Sequence, residues 1–475
     1  MIEILTFAIY FLIIVAATLL TYNKQKSDTQ FVLGNRGLNF WLTALSAHAS
    51  DMSNWLFMAY PAVIFSQGLI DVWLAIGLTV MMFLNWQFIA PKIRKETEKY
   101  NSLTLNGFLE SRYKDKTKII RSSTALLSLV FYVFYISAGL IGLGLLAETL
   151  FNVDYYAGIS FGLILIVFYV FLGGYTTVAW LDLFQGLFLL FVVLFIPFYL
   201  FQHIGGVGAV LDVMKEKNLS ASFVPDSSFK TIKTIVFLFF GWGLGYFGQP
   251  HIITKFMGIK RTSEMRKAQY VGISWQILAL FGATLLGMLG IYLFQNGLSN
   301  PEQVVLEMVK TTLSPFFAGL VLCAILAATT NVMAAQILVT ASSLSEDLYR
   351  KYINKEASHQ NLLKVSRVSV VILALITYSI ALYKNNTIYN LVEFAWSGLG
   401  ATYGPILIAS LYAKNITRRA AIAGILSGGL TAIIWPLINK IFAFGIPSLV
   451  IGFVISLLTI FITSHYTSLE KVKSR

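Results

Sequence analysis

Cysteine and charge are both scarce in this chain. A single cysteine, Cys323, among 475 residues excludes an internal disulfide, a thiolate zinc cluster and a dithiol redox pair. Asp, Glu, Lys and Arg together make up only 12% of the residues, about half the share of an ordinary soluble domain. The longest polar stretches, 92–121 and 203–230, read as loops, and no low-complexity region or appended soluble domain is evident. What is abundant is apolar: 57% of the residues are hydrophobic, enough for about thirteen membrane-spanning helices of roughly 20 residues each. A soluble enzyme and a single-span receptor are thereby excluded. The formal charge of +13 does not point to nucleic acid, because such a protein gathers its basic residues on one face. Here they fall in loops between apolar runs, so the expected partner is the lipid bilayer.

Long stretches uncharged but for Asp51 and Glu393 lie at 4–22, 40–65, 72–90, 122–147, 156–175, 183–201, 234–249, 268–294, 313–345, 368–383, 387–412, 420–438 and 441–465. In hydrocarbon the backbone must satisfy its own hydrogen bonds, so these are read as helices. The expectation is an all-α integral membrane protein, residues 1–475 forming one transmembrane domain. The first stretch is not a cleaved signal, since Glu3 stands where a basic n-region belongs. Lys and Arg crowd one set of loops, at 24–36, 92–121, 255–267, 350–367, 414–419 and 471–475, while Lys215, Lys217, Lys230, Lys233, Lys310, Lys384 and Lys440 fall on the other side. Basic loops stay inside, which places the N-terminus outside and the C-terminus in the cytoplasm of a cell-membrane protein.

Two spans break the apolar pattern. The second contains Ser46-Ala-His-Ala-Ser-Asp-Met-Ser-Asn-Trp55, a polar run in mid-membrane, and the seventh contains Gly241-Trp-Gly-Leu-Gly-Tyr-Phe-Gly-Gln-Pro250, where glycines and a proline weaken the helix. Five spans separate the two, an odd number, so they enter the membrane from opposite faces. Two inverted repeats, about 40–204 and 230–413, follow, with discontinuous helices meeting near the midplane, where such folds hold substrate and ion. Unwinding frees carbonyls for a cation and amides for a carboxylate. The plainer alternative is that Gly and Pro are common in membrane helices anyway.

At these residues the chain resembles the sodium/solute symporter family, and within it the branch that carries proline. The matching stretches are Thr43-Ala-Leu-Ser-Ala47, Ala49-Ser-Asp-Met-Ser53, Trp55, the run from Gly241 to Ile252, Ala324-Ile-Leu-Ala-Ala328, Gln336-Ile-Leu-Val339 and Glu346-Asp-Leu-Tyr349. The resemblance implies a LeuT-like five-plus-five core with one helix before it and two after. It also implies a sodium site at the backbone of Ala49, Met52 and Ala328, with Asn331 beside it and Asp51 essential to coupling. The implied substrate site comprises Ser53, Asn54, Trp55, Tyr135, Trp242, Tyr246 and Pro250, and Asp182 matches an acidic position on the ion exit route. The expected activity is import of a small, proline-like amino acid by alternating access, with the coupling ion in place of any cofactor, no catalytic residue and no obligate protein partner evident. Independently, Asp51 is the only formal charge between Arg36 and Asp71, and a carboxylate at such depth costs a few kcal/mol, roughly 3 on insertion scales, which favours an ion role over a structural anchor. The four aromatics are suited to boxing a rigid zwitterion, though each alone also reads as packing.

The chain departs from the family at the Ser-Thr pair that follows the Ala-Ala of span nine: here stand Asn331 and Val332. An asparagine carbonyl ligates a hard cation and valine does not; Thr329 and Thr330 face elsewhere on the helix. His48 and Glu393 stand where relatives carry small or neutral residues, and both bind protons. A proton-coupled importer using His48, Asp51 and Glu393 is therefore the alternative to sodium coupling, with packing roles for His48 and Glu393 as the plainer reading. Asn54, in place of the family's glycine, bears on whether proline itself is the substrate. A solute sensor on a transporter fold is a further alternative, for which no cytoplasmic output domain is seen. A membrane enzyme is disfavoured, because His203, His251, His359 and His465 are scattered and no metal cluster is in view.

Overall fold

The computed structural model describes residues 9–10, 12–13, 15–16, 28–384 and 386–473. The expected first span, 4–22, lies outside the described residues except at those few positions, and Lys24, Lys26 and Arg475 lie outside them altogether. Every described element is a helix, and extended backbone pairs only in two isolated bridges, Leu38 with Ile259 and Gly68 with Ser220. Numbered from residue 28, the first half comprises α1 (Asp28–Leu33), α2 (Phe40–Ala49), α3 (Ala59–Gln67), α4 (Val72–Leu84), α5 (Ala90–Lys99), α6 (Leu105–Arg112), α7 (Ile119–Phe151), α8 (Tyr155–His203) and α9 (Gly206–Glu216). The second comprises α10 (Phe229–Gly243), α11 (Pro250–Gly258), α12 (Met265–Leu293), α13 (Val304–Thr312), α14 (Pro315–Ser342), α15 (His359–Ala381), α16 (Ile388–Tyr412), α17 (Arg418–Phe442) and α18 (Ser448–Lys473).

Helix starts follow local chemistry: the side chains of Asn39, Ser228, Thr387 and Thr417 each accept a hydrogen bond from an amide of the first turn, capping donors that the helix cannot satisfy itself. Nine stretches of the described residues are long and apolar enough to cross a membrane without interruption, fewer than the thirteen expected. The polar run divides 40–67 into α2 and α3. The first part of α8 is a short apolar segment, Tyr155–Phe168, set off by a break at Gly174, whose φ of 60° and ψ of −170° suit only glycine. Helix α16 is diluted by Asn390, Glu393, Ser397 and Thr402.

Burial separates centre from rim. The spans built on α7 and α14 are 83% buried, those of α15 and α17 only 33%. The exposed residues of the rim are apolar and recur at helical spacing, Val368, Ile372 and Leu375 on α15 and Leu430, Ile434 and Leu437 on α17, stripes that face hydrocarbon. Packing is reciprocal between the halves. Helices α2 and α3 pack on α12 and α2 also on α8, while α10 and α11 pack on α4 and α5 and the turn between them on α16; likewise α7 packs on α16 and α14 on α8. Each interrupted helix is thus held by the helix that follows its counterpart, the pattern of a five-plus-five core related by an internal two-fold axis.

Candidate functional site

The first interruption loosens the backbone over Ser50–Ser53 before a 3-10 turn, Asn54–Leu56. Several carbonyls lose their helical donors there, among them those of Ala49 and Met52. The amide of Ser53, which in a continuous helix bonds the Ala49 carbonyl, bonds that of Asp51 at 3.1 Å, and the amide of Leu56, the helical partner of Met52, bonds Ser53 at 3.0 Å. At the second interruption, a 3-10 stretch Leu244–Gly248 and an extended Gln249, three carbonyls are taken by side chains. Trp396 Nε1 donates to the Trp242 carbonyl at 2.8 Å, Gln249 Nε2 to that of Gly245 at 3.2 Å, and Asn85 Nδ2 to that of Tyr246 at 2.9 Å. Gly245 lies flat against the Trp396 indole, and a Cβ there clashes with the ring. The two breaks therefore differ in chemistry: the first leaves the Ala49 and Met52 oxygens without a donor, and at the second side chains hold three of the carbonyls and pack rings against them.

Between them lies a cavity with about 260 Å³ of empty volume, lined by Asp51, Met52, Trp55, Leu78, Tyr135, Trp242, Tyr246, Val392 and Trp396. Only about 20 Å³ of it is free interior space, room for roughly one water, so the lining rings must part to seat a solute. The rings of Trp55 and Trp242 stand 5.2 Å apart, and Tyr246 meets Trp396 edge-on at 5.1 Å, spacings typical of attractive aromatic pairs. The Tyr246 hydroxyl donates to Asp51 Oδ2 and accepts from Gln276 Nε2, so the buried carboxylate is tied to the second break. The indole Nε1 of Trp55 is buried with no hydrogen-bond partner among the described residues.

Of the residues expected at the substrate site, Trp55, Tyr135, Trp242 and Tyr246 share this cavity. Ser53, Asn54 and Pro250 do not line it: the Ser53 hydroxyl caps the turn by accepting from Trp55, and Asn54 Nδ2 donates to the Ala138 carbonyl on α7 at 3.0 Å. Pro250 opens instead on a second cavity with about 390 Å³ of empty volume, among Asn106, Thr254, Ser343, Asp347 and Tyr403. On the ion side, α14 touches the Asn54–Leu56 turn. The hydroxyls of Thr329 and Thr330 are turned back to the carbonyls of Ile325 and Leu326. Neither amide atom of Asn331, 1% exposed, has a hydrogen-bond partner among the described residues, a costly state unless something else is bound. Ala328 lies buried three residues before it on the same helix.

The three candidate proton carriers are not joined. His48 Nε2 accepts from Trp86 Nε1 at 3.0 Å and the ring is flanked by Trp275; Asp51 bonds Tyr246; Glu393 is half-buried on α16, and among the described residues no side-chain hydrogen bond links the three, only the Asp51 amide to the His48 carbonyl at 3.2 Å. Asp182, on α8, accepts through Oδ2 from Ser46 at 2.5 Å, Ser50 at 3.1 Å and Lys255 at 3.0 Å. Lys255, expected in a basic loop, is only 2% exposed. Sequence reasoning also missed Trp396, Val392, Leu78 and Gln276. The run Ala395-Trp-Ser-Gly-Leu-Gly400, small and polar residues around an indole inside a span, was the available signal for Trp396.

An interrupted-helix bundle with a cation-ready break and an aromatic cavity is the build of a secondary transporter. The chain belongs to the sodium:solute symporter family, whose model matches residues 31–428. It is 38% identical over 453 residues to the high-affinity proline transporter PutP of Bacillus subtilis, covering 94% of each chain. It is 36% identical over 475 residues to the sodium/proline symporter of Staphylococcus aureus, covering 97% of this chain and 92% of that one. Among solved structures, a Na+-coupled sialic acid symporter in a substrate-bound outward-open state superposes with a TM-score of 0.81 at 16% identity, covering 98% of both chains. A closed nucleobase-cation-symport-1 family transporter follows at 0.56, also at 16% identity, covering 93% of this chain and 96% of that one; these two likenesses are of fold. The protein is a multi-pass membrane transporter, not an enzyme.

Proposed function

We propose that the chain imports proline together with sodium by alternating access, through two repeats spanning about 40–204 and 230–413, with the N-terminus outside and the C-terminus in the cytoplasm. The observation that carries this reading is the pair of carbonyls at Ala49 and Met52, stripped of their helical donors beside a carboxylate-bearing aromatic cavity. Sodium is held by those two oxygens, by the second lone pair of the Ala328 carbonyl and by the Asn331 amide oxygen, which takes the place of a hydroxyl in the oxygen shell. Asp51 adds its charge at short range and, through Tyr246, links ion occupancy to the second break. Proline lies among Trp55, Tyr135, Trp242, Tyr246 and Trp396. Its rigid ring loses little freedom on binding, and its carboxylate reaches Trp55 Nε1 and the bound ion. Ser53 and Asn54 act from behind, holding the turn in shape, and Pro250 and Asp182 belong to the inward route.

Sodium is favoured over protons because the His48 imidazole is engaged by Trp86 and no side-chain hydrogen bond among the described residues joins it to Asp51 or Glu393. Either ion gains about 2.3 kcal/mol per 100 mV of potential, roughly fifty-fold in solute concentration, so energetics do not choose between them. Uptake into proteoliposomes does. An inward sodium gradient at matched pH is expected to accumulate proline, and an inward proton gradient without sodium is not. Accumulation driven by protons alone rejects the sodium reading, and no uptake of proline under either gradient rejects the substrate.

A further inference from the structure

The interior holds an ion pair whose lysine the proposed cycle has not used. Asp182 and Lys255 are 0% and 2% exposed, with the ammonium 3.0 Å from Oδ2, and Ser46 on α2 and Ser50, which caps its end, donate to the same oxygen. The ammonium also lies 5.2 Å from the centre of the Tyr175 ring. The other carboxylate oxygen, Oδ1, is buried without a hydrogen-bond partner among the described residues. Three elements meet here: α8 through Asp182, the inner half of the first broken helix through its two serines, and the inner half of the second through Lys255. Ser50 follows Ala49 directly and opens the first break, so this cluster adjoins the stripped Ala49 carbonyl.

A buried pair of this kind is weak as a stabiliser, because desolvation takes back most of the Coulombic gain and apolar residues of the same volume do as well. Its composition is better matched to another task. A carboxylate with one oxygen spare and two rotatable hydroxyls, each able to turn a lone pair inward, is an oxygen set for a small hard cation, and the lysine ammonium is already seated on it. We propose that Lys255 is a tethered counter-cation: its ammonium holds Asp182 while the coupling sodium is elsewhere, and a sodium ion leaving the first break displaces it in passing. While seated, the ammonium fastens both broken helices to α8; when sodium takes its place, the second broken helix is released from that anchor, and inward opening becomes coupled to ion passage. No bond is made or broken, and total charge at the cluster is the same before and after the exchange.

This inference rests on the sodium-coupled reading, and the experiment separates the two. Equilibrium binding of radioactive sodium is measured on the purified full chain in lipid nanodiscs, with proline, for the wild type, Lys255→Met, Lys255→Gln and Lys255→Met/Asp182→Asn. The two single variants vacate the ammonium's place without removing the oxygens, so each is expected to bind roughly one more sodium ion per chain than the wild type, to show a melting temperature that climbs more steeply with sodium than with choline, and to transport more slowly because release is held back. The double variant removes the charge that attracts the ion and returns to the wild-type count. Equal sodium binding in all four, with only a loss of stability, overturns the proposal and leaves the pair a structural bridge. Single variants that cannot be recovered at any sodium concentration also overturn it, since the mobile ion then fails to replace the ammonium. If the wild type itself binds no sodium, the sodium-coupled reading fails, and this proposal with it.

Discussion

Asp51 is held by one hydroxyl and by position. Replacing it with asparagine keeps the shape and the Tyr246 contact but removes the charge, and the apparent sodium affinity in uptake is expected to fall by about tenfold or more, the equivalent of roughly 1.4 kcal/mol. Tyr246→Phe leaves Asp51 and Gln276 short of a partner, which costs about 1–3 kcal/mol; a proline binding constant weakened by roughly five- to a hundred-fold is the measure. At Asn331 the sign discriminates: Asn331→Ser, which restores a hydroxyl, should hold or tighten sodium, whereas Asn331→Ala should weaken it, as read by the sodium dependence of proline binding. At this scale the sequence was most legible where burial is forbidden by default. A lone carboxylate within an apolar span and a cluster of aromatics around glycines both stand out, and Trp55, Tyr135, Trp242 and Tyr246 do share a cavity. Trp396 and Lys255 were hidden for opposite reasons: the first is one indole among many in apolar spans, and the second sits close enough to a basic loop to be read as part of it.

Among the elements, the two interruptions were readable because Gly, Pro and short polar side chains cannot keep a lipid-embedded helix intact. Which carbonyls the second break leaves open was not readable, since that depends on Trp396 and Asn85 arriving from elsewhere in the chain. Gly245→Ala drives a methyl group into the Trp396 indole. It is expected to abolish proline binding, measured on protein that still elutes as a folded monodisperse peak. The break in α8 also has a direct test: Gly174 holds a φ of 60°, and Gly174→Ala should destabilise by about 1–3 kcal/mol, lowering the melting temperature in detergent. Below the second cavity, Asp347 accepts from Thr104, Asn106, Ser343 and Arg121, fastening α6 and α7 to the helical stretch that continues α14. Asp347→Asn should loosen this closure and increase the reactivity of a cysteine placed at Thr254 toward maleimide.

For the molecule as a whole, the all-helical membrane architecture was legible from composition alone, because no soluble fold accommodates so much apolar surface. Among the described residues nine stretches qualify as uninterrupted spans against thirteen expected, since a helix cut by function no longer looks like a span and 4–22 lies almost wholly outside those residues. Sidedness has its own test. The native Cys323 is buried, so cysteines introduced at Lys215 and Lys355 report cleanly; membrane-impermeant maleimide applied to intact cells should label the first and not the second. The central claim is that cation and solute meet at the interrupted helices, and the most direct measurement is a high-resolution structure determined with sodium and proline present. Ion density between the carbonyls of Ala49 and Met52, with proline between Trp55 and Trp242, is the expected result; proline seated instead in the second cavity beside Pro250, or an ion remote from the first break, contradicts it.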